Sequence, residues 1–294
     1  MHASKLYGFG FLVLATACLS FTGSGRQASS PQTGASANHF ATEPFDLHTS
    51  ILGADFAGND PEAVYDALTA LENKLKKDEF ETTAHYQQRM REAADATLKG
   101  NLKLSSIYAF RLRSRSFLAT YDADIQQMTV KVSSSPVVTG SSRDESYSGA
   151  SFDDSREEVE LKSVDRGDQS YTGINGFGAT AQVRLWVLDI YDIAFLRVQK
   201  NEIINIPEDF SLKVDAKPEA ARTLKPNLAV VALVSLDANS SYTAEFTNTS
   251  SATIQNPHAQ RNTSKLIFCK LVDLWVFDER DGSVLSKFST SVSQ

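Results

Sequence analysis

Four carboxylates fall within six positions at Asp153, Asp154, Glu157 and Glu158. Paired carboxylates serve as general acid and base when one of them is desolvated and keeps its proton near neutral pH. The stretch around them, Ser133 to Ser170, is polar and serine-rich. It reads as a long surface excursion with one strand at Val159 to Val164, where carboxylates keep ordinary acidity. Arg111, Arg113 and Arg115 recur at a spacing of two. On a strand that spacing puts three guanidinium groups on one face, a candidate partner face for an anionic lipid headgroup, a peptidoglycan carboxylate or an acidic protein. The same pattern fits a solvated face paired with acidic neighbours. Asp122 and Asp124 offer two carboxylates to a hard cation, but a calcium loop needs further oxygen ligands and a glycine at fixed spacing. Here Ile125-Gln126-Gln127-Met128 follows, and a turn between strands accounts for both aspartates.

Gly173-x-x-Gly176-x-Gly178 has the glycines of a phosphate cradle but runs into a strand rather than a helix, so a bulge or a close approach of backbones is expected. Of five histidines, His2 lies in the leader, His39 and His48 lie in or beside a polar segment, and His85 and His258 lie in the folded region. No His pair has helical metal spacing, and neither G-x-S-x-G nor H-E-x-x-H occurs. The sequence therefore names no nucleophile, no metal ligand and no cofactor. Cys269, inside the apolar run Leu266 to Leu271, reads as a small core residue. Asn239, Asn248 and Asn262 stand in N-x-S/T sequons, which matter only in a eukaryotic secretory route. Acidic residues outnumber basic ones 36 to 29, so no overall field draws the chain to nucleic acid. With 41% hydrophobic and 22% charged residues over 294 positions, the chain fits one larger or two small globular domains. Wholly disordered, collagen-like and polytopic membrane proteins are excluded.

The opening segment carries Lys5 and then no charge until Arg26, with its strongest apolar run from Phe9 to Leu19. That run is about half of what a membrane-spanning helix needs, so residues 1–21 read as a cleaved signal peptide. Its end is open between two readings. Ala15-Thr16-Ala17 offers the small residues of an ordinary cleavage site. Ala17-Cys18 resembles the junction of a bacterial lipoprotein signal, with Ala15 where Leu is usual, and implies acylation of Cys18 and attachment to a membrane. Residues 22–58, rich in Gly, Ser, Ala, Thr and Pro and without apolar periodicity, read as a flexible tether.

A folded α+β domain is expected over 59–294, with a helical hairpin at 60–100 and a β-rich region at 104–294. Asp60 caps a helix with Pro61 first and Val64, Ala67, Leu68, Leu71 and Leu75 on one face. After a break past Lys77, a second helix carries Tyr86, Met90, Ala93, Ala94 and Leu98 to about Gly100. Period-two alternation then marks strands at Tyr108–Leu112, Met128–Val132 and Phe210–Val214. Ala181 to Val198 is apolar on both faces, as a covered strand requires. A short helix at Pro218–Leu224, a buried strand at Leu228–Leu236 and a hairpin turning at Glu279–Gly282 complete a mainly antiparallel sheet or sandwich. Phe80-Glu81-Thr82 with Tyr86 and Arg89, Tyr121-Asp122-Ala123-Asp124, and Gly173-Ile174-Asn175-Gly176-Phe177-Gly178 resemble landmarks of a loose group of exported bacterial proteins of uncharacterised function. The resemblance implies an envelope address, in the periplasm or at the outer membrane, and this order of elements. The leading expectation is a noncatalytic envelope protein, anchored if Cys18 is acylated, that binds another envelope protein or a cell-wall component and no nucleic acid. The alternative is a cell-wall-directed hydrolase using a carboxylate pair.

Overall fold

A computed structural model of the chain describes residues 40–93, 95–140, 150–196, 209–237 and 241–289. All belong to one unit, Asn38–Gln294; the other unit, Met1–Ala37, which holds the expected signal peptide and Cys18, lies outside the described residues. The first helix, α1 (Pro61–Leu75), starts where the residues dictate. The Asp60 carboxylate accepts from Glu62 N at 3.3 Å, Pro61 opens the helix, and Val64, Tyr65 and Leu68 are buried. α2 (Thr83–Ala93) buries only Ala93 among its described residues. Leu98, expected on α2, instead belongs to β1 (Thr97–Lys99), which pairs with β2 (Leu102–Lys103) across Gly100 at φ 58°. Arg89 on α2 donates to Lys74 O (3.0 Å) and Lys76 O (3.2 Å), carbonyls left without helical partners where α1 ends. It also pairs with both oxygens of Glu81, at 2.8 and 2.7 Å, and those contacts hold the Glu81 carboxyl at about 2.

Strands predominate after that. β3 (Ile107–Arg111), β4 (Phe117–Asp122) and β5 (Gln127–Ser133) are followed by β6 (Ser135–Gly140), β7 (Ala150–Ile174), β8 (Thr180–Leu196) and β9 (Asp209–Asp215). α3 (Pro218–Leu224) leads into β10 (Leu228–Leu236), β11 (Thr243–Thr249), β12 (His258–Asp278) and β13 (Val284–Ser289). The large sheet runs β3-β10-β12-β8-β7-β6, with β11 and β13 also paired to β12; a smaller sheet is β4-β5-β9. Every pairing is antiparallel except β12 with β8.

The main core lies between the large sheet on one side and the small sheet with α1 on the other. Val159, Tyr191, Ile193, Phe195, Val230 and Ile267 face Met128, Val130, Phe210, Leu212, Val64 and Leu68. Phe210 bridges the layers, 5.6 Å from the Phe195 ring and 5.9 Å from that of Phe288. The α1 N-terminus is tied to the same face by ions. Glu62 takes Lys162 (2.8 Å) and Arg166 (2.7 Å), while Asp189 takes Arg166 and Lys265, both at 2.9 Å.

Two expectations need correction. The polar stretch 133–170 is not an excursion with one short strand: β6 and β7 occupy most of it, in register with each other and with β8. Its polarity reflects a strand near the sheet border, with water on one face and bulges at Glu160/Lys162 and Asp165/Gly167. The tether, read to 58, also ends earlier. Residues 40–58 lie along the opposite face of the large sheet, where Phe45, Leu52 and Phe56 pack on Ala109, Val231, Leu233, Trp275 and Phe277. Backbone bonds hold the segment, from Ala41 N to Gly58 O (2.7 Å), Phe45 N to Ile107 O (3.0 Å) and Leu52 N to Gly282 O (2.8 Å). Buried Asn59 anchors it, donating to Ala41 O and accepting from Ala109 N, both at 2.8 Å. Widely spaced apolar residues in an irregular segment show no period, which hides such a strap from sequence reading.

Candidate functional site

The long strands β7, β8 and β12 form an arm whose two faces differ. Along β8, burial alternates from Gln182 to Ile190 and then becomes continuous from Tyr191 to Phe195. Only the second half is therefore the covered strand that the apolar run suggested; in the first half Val183, Leu185 and Val187 face one way with Ala259, and Gln182, Arg184 and Trp186 face the other. Register assembles the polar side into rows. Asp168, Trp186 and Gln260 sit directly opposite one another on β7, β8 and β12, and Ser170, Arg184 and His258 form the next row. Trp186 is 46% exposed. Arg184 donates to Asp168 at 2.5 Å, and Gln260 donates to Asn262 at 2.8 Å. Around them opens a cleft of about 390 Å³, completed by Ser250 and Ala259. Beyond it the β7–β8 hairpin closes at Asn175, whose side chain accepts from Phe177 N (3.0 Å) and Ala179 N (2.9 Å). Of the glycine cluster, Gly173 lies in β7, while Gly176 and Gly178 lie in this hairpin loop, Gly178 at φ 82°, with open space around both in place of the expected close approach of backbones. Phe177 stands 98% exposed at the tip.

A second cluster lies further along the same face, toward the middle of the sheet. Glu158 is opposite Ala194, and Glu160 is opposite Asp192. Asp192 is 4% exposed. Burial first, then the neighbouring charges of Glu158 and Glu160, push its carboxyl up to about 8, while Arg115 opposes the rise. Burial and Glu157 push Glu158 up to about 7. The expectation that the acidic cluster keeps ordinary acidity is overturned at Glu158, because this residue lies in a packed strand and not in a solvated loop. Asp153 and Asp154 also fall in β7, opposite β6. Asp192 was missed by sequence reading; Asp-Ile-Tyr-Asp inside an apolar run is the signal that marks it.

The arginine stripe does not form. β3 ends at Arg111, and Arg113 precedes a 3-10 turn at Ser114–Ser116 that holds Arg115. Arg111 pairs with Glu279, while Arg113 and Arg115 both pair with Glu160. The three guanidiniums thus meet acids of their own chain, on two different parts of the sheet. No family model, curated protein or solved structure matches the chain.

The remaining candidates have local roles. Asp122 accepts from Asp124 N (2.9 Å) and Ile125 N (3.4 Å), closing the β4–β5 turn. Among the described residues no group of three or more His, Cys, Asp or Glu side chains is arranged to hold a metal ion. Cys269 is fully buried, and desolvation pushes its thiol up. His85 bonds Glu81 at 2.7 Å, whereas His258 lines the arm cleft. Among the described residues no helix is long and apolar enough to cross a membrane.

Proposed function

We propose that the chain is an exported, noncatalytic protein of the bacterial envelope that binds another envelope component through the polar face of its β7–β8–β12 arm. The open cleft around Trp186 carries this reading: a large, half-exposed aromatic ring among unlike hydrogen-bonding groups is what a recognition surface needs, and folding gains nothing by exposing it. The leader chemistry of residues 1–21 and the resemblance to exported bacterial proteins support the address, in the periplasm or at the outer membrane. Acylation of Cys18 would add a membrane anchor. In this reading α1 and α2 act as a helical hairpin that braces the sheet, and the arm reaches the partner. The test is a photo-crosslinking side chain at exposed Gln182, beside the cleft, compared with one at Lys213 on the small sheet, in cells expressing the full chain. Adducts to an envelope component from position 182 and not from 213 are expected. Equal or absent adducts overturn the reading.

A second reading rests on one observation, the raised pKa of Glu158 and of Asp192 on neighbouring strands. A hydrolase could use them as acid and base. It expects turnover of cell-wall material that Asp192→Asn abolishes, and absence of turnover by the wild-type chain ends it.

A further inference from the structure

From the rows of side chains on the arm, we infer that the cleft around Trp186 binds a carbohydrate chain. This rests on the reading of the arm as a binding face and names the ligand class. A sugar ring has two demands that few other ligands share: its C–H faces seek a flat aromatic surface, and its ring of hydroxyls seeks planar groups that donate and accept side by side. Trp186 supplies the surface, a half-exposed indole on a rigid strand. Its cross-strand neighbours Asp168 and Gln260 supply an acceptor pair and an amide, and the adjoining row adds the guanidinium of Arg184, the imidazole of His258 and the Ser170 hydroxyl. The Arg184–Asp168 pair, 66% and 50% exposed at its side chains, fixes both groups while leaving donors and acceptors toward solvent.

Dimensions agree. Three strands and two rows cover roughly 10 Å by 7 Å from strand spacing and rise, the footprint of about two linked sugar rings lying across the arm, and the cleft of about 390 Å³ gives them room. Mixed charge on this face, one acid facing one guanidinium, matches a neutral ligand better than a polyanion. The polar side chains stand on strands, so their positions are set before the ligand arrives.

Two indole N–H signals in the spectrum of the full chain provide the readout. Trp186 is the one lost in Trp186→Phe, and buried Trp275 is the internal control. The probes are a β-1,4-linked tetramer of N-acetylglucosamine and a glucose tetramer of the same linkage, with sorbitol as an acyclic control. Saturable movement of the Trp186 signal by either tetramer and not by sorbitol is expected, with Trp275 unmoved. Affinity measured by titration calorimetry, which needs no indole signal, should fall about tenfold in Trp186→Ala and change little in Trp186→Phe, the effect of losing one aromatic contact. Thermal melting of Trp186→Ala confirms that it folds. Binding that is indifferent to Trp186→Ala overturns the site. If neither tetramer moves the signal while Gln182 still crosslinks to an envelope protein, the carbohydrate assignment falls and the binding face stands. If both experiments fail, both readings fall.

Discussion

Seating Asp192 beside Glu158 and Glu160 in the packed middle of the sheet makes the charged form of its carboxyl expensive, and the cost has a direction in pH. A carboxyl whose pKa is raised on folding binds more protons folded than unfolded over the interval between its two values. For Asp192 that interval runs from the usual 3.8 to about 8, and for Glu158 from 4.5 to about 7. Stability is therefore greatest below about pH 4 as far as this pair is concerned, and it declines as pH climbs through 7 to 8, where both must ionise. The Glu160 charge deepens the decline, and Arg115 moderates it without reversing it. Each tenfold change in proton affinity is about 1.4 kcal/mol, and with solvent screening the pair costs on the order of 2 kcal/mol at pH 8. Unfolding free energies from denaturant titration at pH 5 and pH 8 should differ by most of that amount in the wild-type chain and draw together in Asp192→Asn. An unchanged pH slope in the variant would refute the assignment. Glu62 acts with the opposite sign. Lys162 and Arg166 hold its carboxyl at about 2, so its contribution is present above pH 4.5 and disappears as pH falls toward 2.

At the level of elements, one residue of α2 closes the end of α1. Arg89 reaches the Lys74 and Lys76 carbonyls while gripping Glu81, so Arg89→Ala should unfasten α2, which buries little else. Amide exchange should quicken across residues 83–93 and stay slow in β10 and β12; equal exchange in both proteins would exclude the clamp. This contact gives Glu81 and Arg89 a physical reason for their spacing, whereas Phe80 is exposed and explained by nothing in the fold. α1 was legible because capping and period are local signals, whereas α2 ends at Ala93, short of the Gly100 that its apolar residues suggest, because Leu98 is taken into β1. β6 and β7 were not legible, because a border strand with one wet face and two bulges has no clean alternation to read. The strap at 40–58 approaches the sheet closely at two glycines for a similar nonlocal reason. Gly58 and Gly282 sit at φ 71° and 75°, and a Cβ on either would strike backbone, of Ala109 and of Gly53 respectively. Gly282→Ala should cost about 2 kcal/mol by strain and displacement of the strap, while the sterically open Gly53, also at positive φ, should cost less. Equal losses measured by urea titration would show that the close approach is unimportant.

Across the whole molecule, the sheet is buried on both faces only where something lies over it, and this governs both the site and the stability. The arm face around Trp186 is hidden from sequence reading because the apolar count of 181–198 is high over the whole strand, although Gln182, Arg184 and Trp186 alternate with Val183, Leu185 and Val187. What the sequence could not show is where the cover stops. That depends on partners far along the chain: Leu266 and Phe268 of β12 and Phe246 of β11 pack near Ala194, and His258 and Gln260 flank Arg184 and Trp186. The same logic makes the strap indispensable. Phe45 meets Trp275 at 5.2 Å and Phe56 meets Phe277 at 6.0 Å. A chain beginning at Asn59, the start that the sequence suggests, would leave Val231, Leu233, Trp275 and Phe277 facing water. Phe45, Leu52 and Phe56 are each half-buried, so their removal forfeits about 3 kcal/mol of apolar burial and about 8 °C in melting temperature. The uncovered patch should also bind a hydrophobic dye and drive association. A chain beginning at Asn38 retains the strap and should melt about 8 °C above the one beginning at Asn59. If the two shortened chains melt together and neither binds the dye, residues 40–58 do not cover the sheet in solution.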